Sequence, residues 1–229
     1  MTKVITMALY NRPEYTKTVL AALRQCDGVA DYLILPHVDP GNDAVVALAQ
    51  GIDFAETCLT LNGRKLGCGL NTFKAWEDGF NRAEFIIHIE DDTVPARDCL
   101  RYMEHACGAY ANLPQLFSVS SYNRERCQPE DYFRIGRRSA YTCWLVGLWH
   151  DRWLWAKDHW NPDPKRYATH LSKEAQSRNW QEAYPYLSRS QNIGAEGGVH
   201  VVSAEWHHKY HHTEHWAGNL DLPPSDYHE

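Results

Sequence analysis

The chain has 229 residues, of which 44% are hydrophobic, and it carries a formal net charge of −6 with a pI near 6.1. This size and apolar content suffice for one mixed α/β domain, and the acidic balance argues against a broadly basic surface for nucleic acid. No run approaches the ~18 to 20 apolar residues of a membrane span, so we expect a cytoplasmic protein without one.

Apolar runs alternate with helical patterns along the first half of the chain. Strands are predicted at residues 4–10, 31–38, within 52–61 and at 85–89, and helices at 15–25, 44–50, 70–82 and 96–110. Pro13 suits the first turn of the first helix. Alternation of this kind predicts a single α/β domain of the Rossmann type, with a mainly parallel sheet and helices on both faces.

Three consecutive acids, Glu90, Asp91 and Asp92, follow the last of these strands. Ligands of open parallel sheets bind beyond the carboxyl ends of the strands, so these acids are expected at the rim where a substrate docks. Because adjacent carboxylates repel one another, they favour a divalent cation, and oxygen ligands suit Mg²⁺ or Mn²⁺. An acidic turn before the helix at 96–110 is the alternative.

The loops after the other strands carry matching chemistry. Arg12 follows the first strand and can pair with phosphate in a fork geometry, and Asp39 follows the second, where it can accept from a ribose or uracil group. Residues 62–71, NGRKLGCGLN, form a glycine-rich basic loop that includes Lys65 and Asn71 and leads into a helix. The order of these features predicts a site for a nucleoside diphosphate.

Successive segments of the chain resemble those of GT-A glycosyltransferases, especially the inverting N-acetylglucosaminyltransferase I-like group and its bacterial and phage relatives. The segments of the first half are VITMALYNRPEY, ILPHVD, NGRKLGCGLNTFKAWEDGF and FIIHIEDDTVPARDCLRYM. Those of the second half are FSVSSYN, YTCWLVGLWHDRW and YPYLSRSQNIGAEGGVH. The resemblance implies a GT-A domain over residues 1–229, with a nucleotide-sugar-binding half at 1–110 and an acceptor-side half with a C-terminal lid at 111–229.

The resemblance also implies the reaction and its residues. A nucleoside-diphosphate sugar, most simply a UDP-sugar, would donate a hexosyl or N-acetylhexosaminyl group to an acceptor hydroxyl with the help of Mn²⁺ or Mg²⁺. Arg12 and Asp39 would hold the nucleotide, Asp91 the ribose or sugar, and Asp92 the metal with Asp91 beside it. His200 is a further candidate metal ligand.

The resemblance does not carry over to the catalytic base, because relatives place an acidic residue beside a tryptophan just before the YP segment and this chain has no clear pair of that kind. Asp163, His170 and Glu182 are the candidates. Asp163 is preferred, because its loop is held by flanking prolines and precedes the stretch where relatives carry their base. Glu182 is expected on a helix.

The C-terminal stretch at 203–218, SAEWHHKYHHTEHWAG, combines histidines at i, i+4 spacing with aromatic residues. A zinc site is one interpretation, and a lid that stacks on sugar or base rings is the favoured one. Trp206 belongs to this lid, and Trp144 and Trp149 are candidates for the acceptor side. Five tryptophans at 144–160 either pack over the sheet or line the pocket.

Two other functions compete with glycosyl transfer. A nucleotidyltransferase also uses paired carboxylates and a divalent metal, and a non-catalytic module would bind a nucleotide or carbohydrate only. For a glycosyltransferase, the acceptor is a saccharide, a protein or, for a phage-encoded enzyme in a host cytoplasm, a hydroxymethylated base of DNA. The acidic pI argues mildly against DNA modification.

Overall fold

A mixed β-sheet forms the centre of the computed structural model, which describes residues 2–163, 166–198, 201–223 and 225–229. The strands of this part of the chain are β1 (Lys3–Leu9), β2 (Tyr32–Val38), β3 (Glu56–Thr57), β4 (Thr60–Leu61), β5 (Phe85–Glu90), β6 (Thr93–Pro95), β7 (Leu116–Ser120), β8 (Ile135–Arg138), β9 (Leu145–Trp149), β10 (Gln181–Pro185) and β11 (Ser190–Asn192). The helices are α1 (Pro13–Arg24), α2 (Asp43–Gln50), α3 (Cys68–Phe80), α4 (Cys99–Tyr110), α5 (His150–Asp158), α6 (Tyr167–Ser177) and α7 (Ala204–Tyr210).

The sheet has the strand order β3-β2-β1-β5-β9-β7-β10-β8, and β4 extends the first edge along β2. β1 is parallel to both β2 and β5, and β10 is parallel to β7. β9 runs antiparallel between β5 and β7, and β8 closes the far edge antiparallel to β10. The sheet is therefore mainly parallel, as the alternation predicts, and each of its antiparallel pairs includes a strand of the second half of the chain.

Side chains alternate between the two faces along each strand, so the apolar strands present apolar side chains on both faces. Helices cover both. Ile5, Met7 and Leu9 of β1 face one cluster, which α1, α2 and α4 complete. Val4 faces the other cluster, which α3, α5 and α6 complete with Trp76, Trp153 and smaller apolar residues. Much of the tryptophan-rich stretch thus packs on the sheet.

The predicted elements agree with the structure except at three places. The helix predicted at 96–110 begins only at Cys99, because residues 93–95 form β6 and pair with β11. The strand predicted within 52–61 is divided into β3 and β4. The helix predicted for Glu182 is wrong, because Asn179 adopts a left-handed conformation with φ 57° after α6 and the chain then enters the sheet as β10.

Trp149, a predicted acceptor-side residue, lies at the opposite end of the sheet from the three acids. β9 is antiparallel to β5, so its carboxyl end meets the start of β5, where Trp149 pairs with Phe85. The two rings are 5.3 Å apart between centroids, and the Trp149 indole donates to the Cys107 carbonyl oxygen at 3.4 Å. Trp149 is therefore a core residue, and the prediction that placed it at the acceptor site is wrong.

In the part of the chain that the structure describes, no helix has the length and apolar character needed to cross a bilayer.

We expect Glu182→Gln to destabilise the protein by about 1–3 kcal/mol, since it weakens the hydrogen bonds of a buried carboxylate. Glu182 is fully buried and accepts from Arg138 Nε at 2.7 Å, the Thr142 amide at 2.7 Å and Thr142 Oγ1 at 2.9 Å. Chemical denaturation measures the change, with the exposed Glu130→Gln as the matched control. Equal stability of the two variants would contradict the structural role.

Candidate functional site

The predicted site residues meet at one edge of the sheet because β1, β2 and β5 are parallel. Arg12 follows β1 and precedes the first turn of α1, Asp39 directly follows β2, and Glu90 ends β5. Parallel neighbours end at the same edge. The sequence prediction that these loops share one rim is therefore confirmed by the strand register.

Arg12 is held by two of the three acids. Its Nε donates to Asp91 Oδ2 at 3.2 Å, and its Nη2 donates to the other oxygen of the same carboxylate, so the guanidinium and Asp91 form a fork. Its Nη1 donates to Asp92 Oδ2 at 2.7 Å. Arg12 therefore serves as the counter-charge of the acids in this structure.

The acids carry more negative charge than Arg12 neutralises. Burial, followed by repulsion from Asp92, raises the pKa of Glu90 to about 8, although the Tyr167 hydroxyl donates to its Oε1 at 2.9 Å. The same two causes raise the pKa of Asp91 to about 6 despite the contact with Arg12. Burial alone would lower the pKa of Arg12, but the two aspartates raise it above its ordinary value. A further cation would stabilise the ionised acids.

The C-terminal half reaches Asp92 through β11. Asn192 pairs with Thr93 in the β11–β6 ladder, and its Nδ2 donates to Asp92 Oδ1 at 3.3 Å. Its Oδ1 lies 2.7 Å from His207 Nε2, which is the donor because the amide oxygen only accepts. Gly194 is required here, since a Cβ would lie 2.1 Å from Asp92 Oδ2.

Asp39 and Asn71 organise the glycine-rich loop. Asp39 is 1% exposed, and its Oδ2 accepts from the amides of Leu66 and Gly67 at 3.0 and 2.8 Å. The Asn62 amide nitrogen donates to Asp39 Oδ1 at 2.9 Å and to Asn71 Oδ1 at 2.8 Å. Three of the acceptor positions of Asp39 are therefore used by the chain itself.

Lys65 lies on the same loop, above an aromatic ring. Its ammonium is 4.1 Å from the centroid of the Tyr10 ring, within the range of a cation–π interaction. Gly67 has a φ of 79°, which favours glycine, and the next residue begins α3. The loop thus places a positive charge beside the ends of β1 and β2.

Two adjoining cavities open at this rim. The larger, of about 390 Å³, is lined by the ends of β1 and β2 and by the glycine-rich loop, including Asp39, Lys65 and Asn71. The smaller, of about 120 Å³, is lined by the three acids and by residues of the second half. Arg12 and Asp91 line both. Arg12 and Asp91 therefore stand at the junction of the two cavities, while Glu90 and Asp92 line the smaller one alone.

Solved structures with this architecture are known. The mannosyltransferase PcManGT from Pyrobaculum calidifontis, in complex with GDP-Man and Mn²⁺, matches with a TM-score of 0.56 and 15% identity over 80% of this chain and 54% of that one. S. aureus TarS matches with a TM-score of 0.64 and 10% identity over 85% of this chain and 37% of that one.

TarS residues 1–349 in complex with UDP match with a TM-score of 0.61 and 12% identity, over 83% of this chain and 60% of that one. The chain has a GT-A fold. It spans 37 to 60% of the length of these three structures. No protein-family model and no curated protein matches the sequence, and the predicted N-acetylglucosaminyltransferase I-like subgroup is not confirmed.

In this GT-A fold, aromatic residues of the second half line the smaller cavity together with the acids. Trp144 lines it together with Tyr167 and His211. The ring of His211 lies 4.7 Å from that of Trp144 and 4.6 Å from that of Trp206, measured between centroids. Trp144 and Trp206, both predicted for the acceptor side, therefore flank one histidine at the cavity.

The sequence patterns did not single out Tyr167 or Asn192, and they included His211 only as one histidine of the stretch at 203–218. Tyr167 lies at the start of α6, and nothing in its local sequence pattern distinguishes it from a core tyrosine. Asn192 is placed by the β11–β6 pairing, which joins residues about 100 positions apart. These contacts depend on tertiary structure.

The predicted base candidates do not line either cavity. Asp163 lies in the loop before α6, where its Oδ2 is 3.4 Å from Arg166 Nε and its side chain is 44% exposed. His170 is partly buried on α6, and Glu182 is buried against Arg138. His200, the predicted metal ligand, lies outside the described residues.

The zinc interpretation of the histidine stretch finds no support in the described residues, which contain no group of three or more histidine, cysteine or acidic side chains that could hold a metal ion. The rings of His208 and His212 stack at 4.9 Å, and Gln191 Nε2 lies 2.6 Å from His212 Nδ1. The carbonyl oxygen of His211 accepts from the Tyr122 hydroxyl at 2.7 Å. The stretch instead packs as a cover beside the smaller cavity.

We expect Asp39→Asn to lower the free energy of unfolding by about 1–3 kcal/mol and to weaken nucleotide binding. An amide of the same size cannot accept from both Leu66 and Gly67 if its nitrogen faces them, so the glycine-rich loop loses an anchor. Thermal unfolding and titration with UDP measure the two effects. The exposed Asp43→Asn is the control, and an Asp39→Asn variant that behaves like it would argue against this role.

Proposed function

We propose that the protein is a metal-dependent inverting glycosyltransferase, which moves a sugar from a nucleoside-diphosphate sugar to an acceptor hydroxyl. The observation that carries the proposal is the position of Arg12 and Asp91 at the junction of a larger and a smaller cavity, with Glu90 and Asp92 in the smaller one. A donor of this class has a diphosphate between a nucleoside and a sugar. The junction therefore suits the diphosphate, with the nucleoside on one side and the sugar on the other.

The larger cavity suits the nucleoside. Lys65 supplies positive charge at its edge, and the backbone of the glycine-rich loop approaches the cavity at Gly67 without a side chain. Asp39 keeps one acceptor position beyond its three hydrogen bonds within the chain. We propose UDP as the nucleotide, and the match to TarS in complex with UDP and to TarS in complex with UDP-GlcNAc supports a hexosyl or N-acetylhexosaminyl donor.

The described residues contain no group of three side chains that could hold a metal ion by itself, so a divalent cation here would bind one or two of the acids together with the oxygens of a diphosphate. The donor set of the acids consists of carboxylate oxygens, which Mn²⁺ and Mg²⁺ accept. Burial first, and repulsion from Asp92 second, raise the pKa values of Glu90 and Asp91, and a bound cation would offset both effects. Asp92 would hold the ion, with Asp91 beside it, and the match to PcManGT in complex with Mn²⁺ supports this assignment. A bound cation would neutralise charge that grows on the departing diphosphate.

The chain's own residues bind and orient the reactants. Arg12 lies at the wall of both cavities and can form a fork with a phosphate as it does with Asp91. The Tyr167 hydroxyl donates to Glu90 and holds the Glu90 carboxyl group at the wall of the smaller cavity, which is the space proposed for the sugar. Trp144 bounds that cavity on the side away from the nucleotide, so the acceptor enters there and displaces the diphosphate from the opposite face.

We expect UDP to bind tightly only when Mn²⁺ or Mg²⁺ is present, because the acids repel a diphosphate until a cation offsets their charge. Calorimetric titration of the protein with UDP and with GDP, each with Mn²⁺ and with chelator, measures the difference. Equal affinity with and without metal would contradict the proposed metal role, and tighter binding of GDP would contradict the choice of UDP.

Asp92→Asn is expected to reduce transfer by about 10²-fold or more, because the proposed metal ion loses its charged ligand. The protein should stay folded, because the substitution relieves charge repulsion among the three acids. The assay incubates the protein with a panel of nucleotide sugars and identifies the products. Nucleoside diphosphate is the product of glycosyl transfer, whereas pyrophosphate would indicate a nucleotidyltransferase.

Asp158→Asn, at the exposed end of α5, is the matched control for Asp92→Asn and should keep the wild-type rate. Thermal unfolding of both variants checks that the fold is unchanged. An Asp92→Asn variant with the full transfer rate would remove Asp92 from the mechanism, and a wild-type protein that binds donors without turnover would leave only a binding module.

A further inference from the structure

Under the glycosyl transfer proposed above, on which this inference rests, the acceptor hydroxyl must lose a proton as it attacks the sugar. The group that takes this proton must lie within hydrogen-bond reach of the hydroxyl, on the face opposite the diphosphate. Such a group must line the smaller cavity on the side of Trp144. Asp163, His170 and Glu182 do not line that cavity.

Three titratable side chains of the second half line the smaller cavity among the described residues: Cys143, Tyr167 and His211. Burial raises the pKa of the Cys143 thiol and of the Tyr167 phenol well above their usual values. Both groups therefore keep their protons, and the Tyr167 hydroxyl uses its proton in a hydrogen bond to Glu90. The imidazole of His211 is the group of the three that can accept a proton.

The surroundings of His211 hold its ring in place. The residue follows α7, and its amide donates to the His207 carbonyl at 2.7 Å while its own carbonyl accepts from the Tyr122 hydroxyl at 2.7 Å. The indoles of Trp144 and Trp206 contact its ring at interplanar angles of 64° and 75°. A base fixed by packing on two sides meets the positional demand of proton transfer.

A chain of hydrogen bonds also ties this base to the proposed metal ligand. Asn192 donates to Asp92 and accepts from His207, which lies one helical turn before His211. These bonds set the position of the segment that carries His211 relative to Asp92, and both residues line the smaller cavity. The same segment carries Trp206, whose ring contacts that of His211.

We infer that His211 is the general base of the transfer. One imidazole nitrogen accepts the proton of the acceptor hydroxyl while the hydroxyl oxygen forms its bond to the anomeric carbon. The bond between that carbon and the diphosphate oxygen breaks, and its electron pair leaves on the nucleoside diphosphate. The proton then passes from the imidazolium to water.

The test compares His211→Gln with His208→Gln and Asp163→Asn. Glutamine keeps much of the size of histidine but does not act as a base at neutral pH, and His208 is exposed on the neighbouring helix. Turnover is measured as nucleoside diphosphate released from a panel of UDP-sugars with Mn²⁺, both with candidate acceptors and with water as the acceptor. Attacking water must lose a proton as an acceptor hydroxyl must, so the assay can be run before the acceptor is known.

His211→Gln should lower kcat by about 10²-fold or more with little change in the donor KM, while His208→Gln keeps the wild-type rate. Imidazole added to His211→Ala should restore part of the lost rate, which a purely structural role would not allow. A His211→Gln rate within about threefold of wild type overturns the inference, and loss of activity in Asp163→Asn alone assigns the base to Asp163.

Failure of the proposed function would look different. If the wild-type protein releases no nucleoside diphosphate from any donor, glycosyl transfer and the base are overturned together. If the wild-type protein and His211→Gln both turn over at the same rate, the transfer stands and the base assignment alone falls. Thermal unfolding of His211→Gln and His211→Ala, compared with the wild type, identifies any loss of rate that comes from loss of fold.

Discussion

Repulsion among three carboxyl groups at the end of β5 is the constraint around which the site is arranged. Glu90, Asp91 and Asp92 are adjacent in the chain, and burial prevents water from screening their charges. The protein counters this repulsion with one guanidinium from the neighbouring strand end and with hydrogen bonds from Tyr167 and Asn192. These partners come from three separate parts of the chain, so the acids form contacts with both halves of the molecule.

The second half approaches the acids through a few well-defined contacts. β11 pairs with β6 directly after the acids, and this pairing sets Asn192 beside Asp92. The same asparagine holds His207, and Gln191 holds the next part of the segment through the Thr213 carbonyl at 2.8 Å. A stretch rich in histidine and tryptophan thereby lies beside the smaller cavity, although its histidine spacing also admitted a metal site in the sequence.

Strand direction separates the tryptophans that reach the cavity from those that do not. Trp144 directly precedes β9 and lies at the rim, whereas Trp149 ends β9 and lies in the core at the other edge. The two residues are five positions apart and look alike in the sequence. Because β9 runs antiparallel to β5, only the start of β9 is near the acids.

The sequence by itself determined the layered architecture and the rim formed by the loops after β1, β2 and β5. Alternating apolar runs and helical patterns predict a parallel sheet, and parallel strands must bring their following loops to one edge, so Arg12, Asp39 and the acids were placed correctly. Local patterns suffice there because each residue lies directly after a strand. The glycine-rich loop was found for the same reason, although the sequence did not show that Asp39 and Asn71 would use their polar atoms to hold it.

Only the tertiary structure decided which residues of the second half surround the smaller cavity. Contacts between distant residues decide three features of this half: the strand directions, the start of β10 after the left-handed residue Asn179, and the pairing of β11 with β6. The periodicity of a segment reports which of its faces is buried but not which neighbour buries it. For that reason Glu182 and Trp149 resembled site residues in the sequence. Local sequence likewise does not indicate that His211 lies at the cavity, because its position there depends on contacts with two distant parts of the fold.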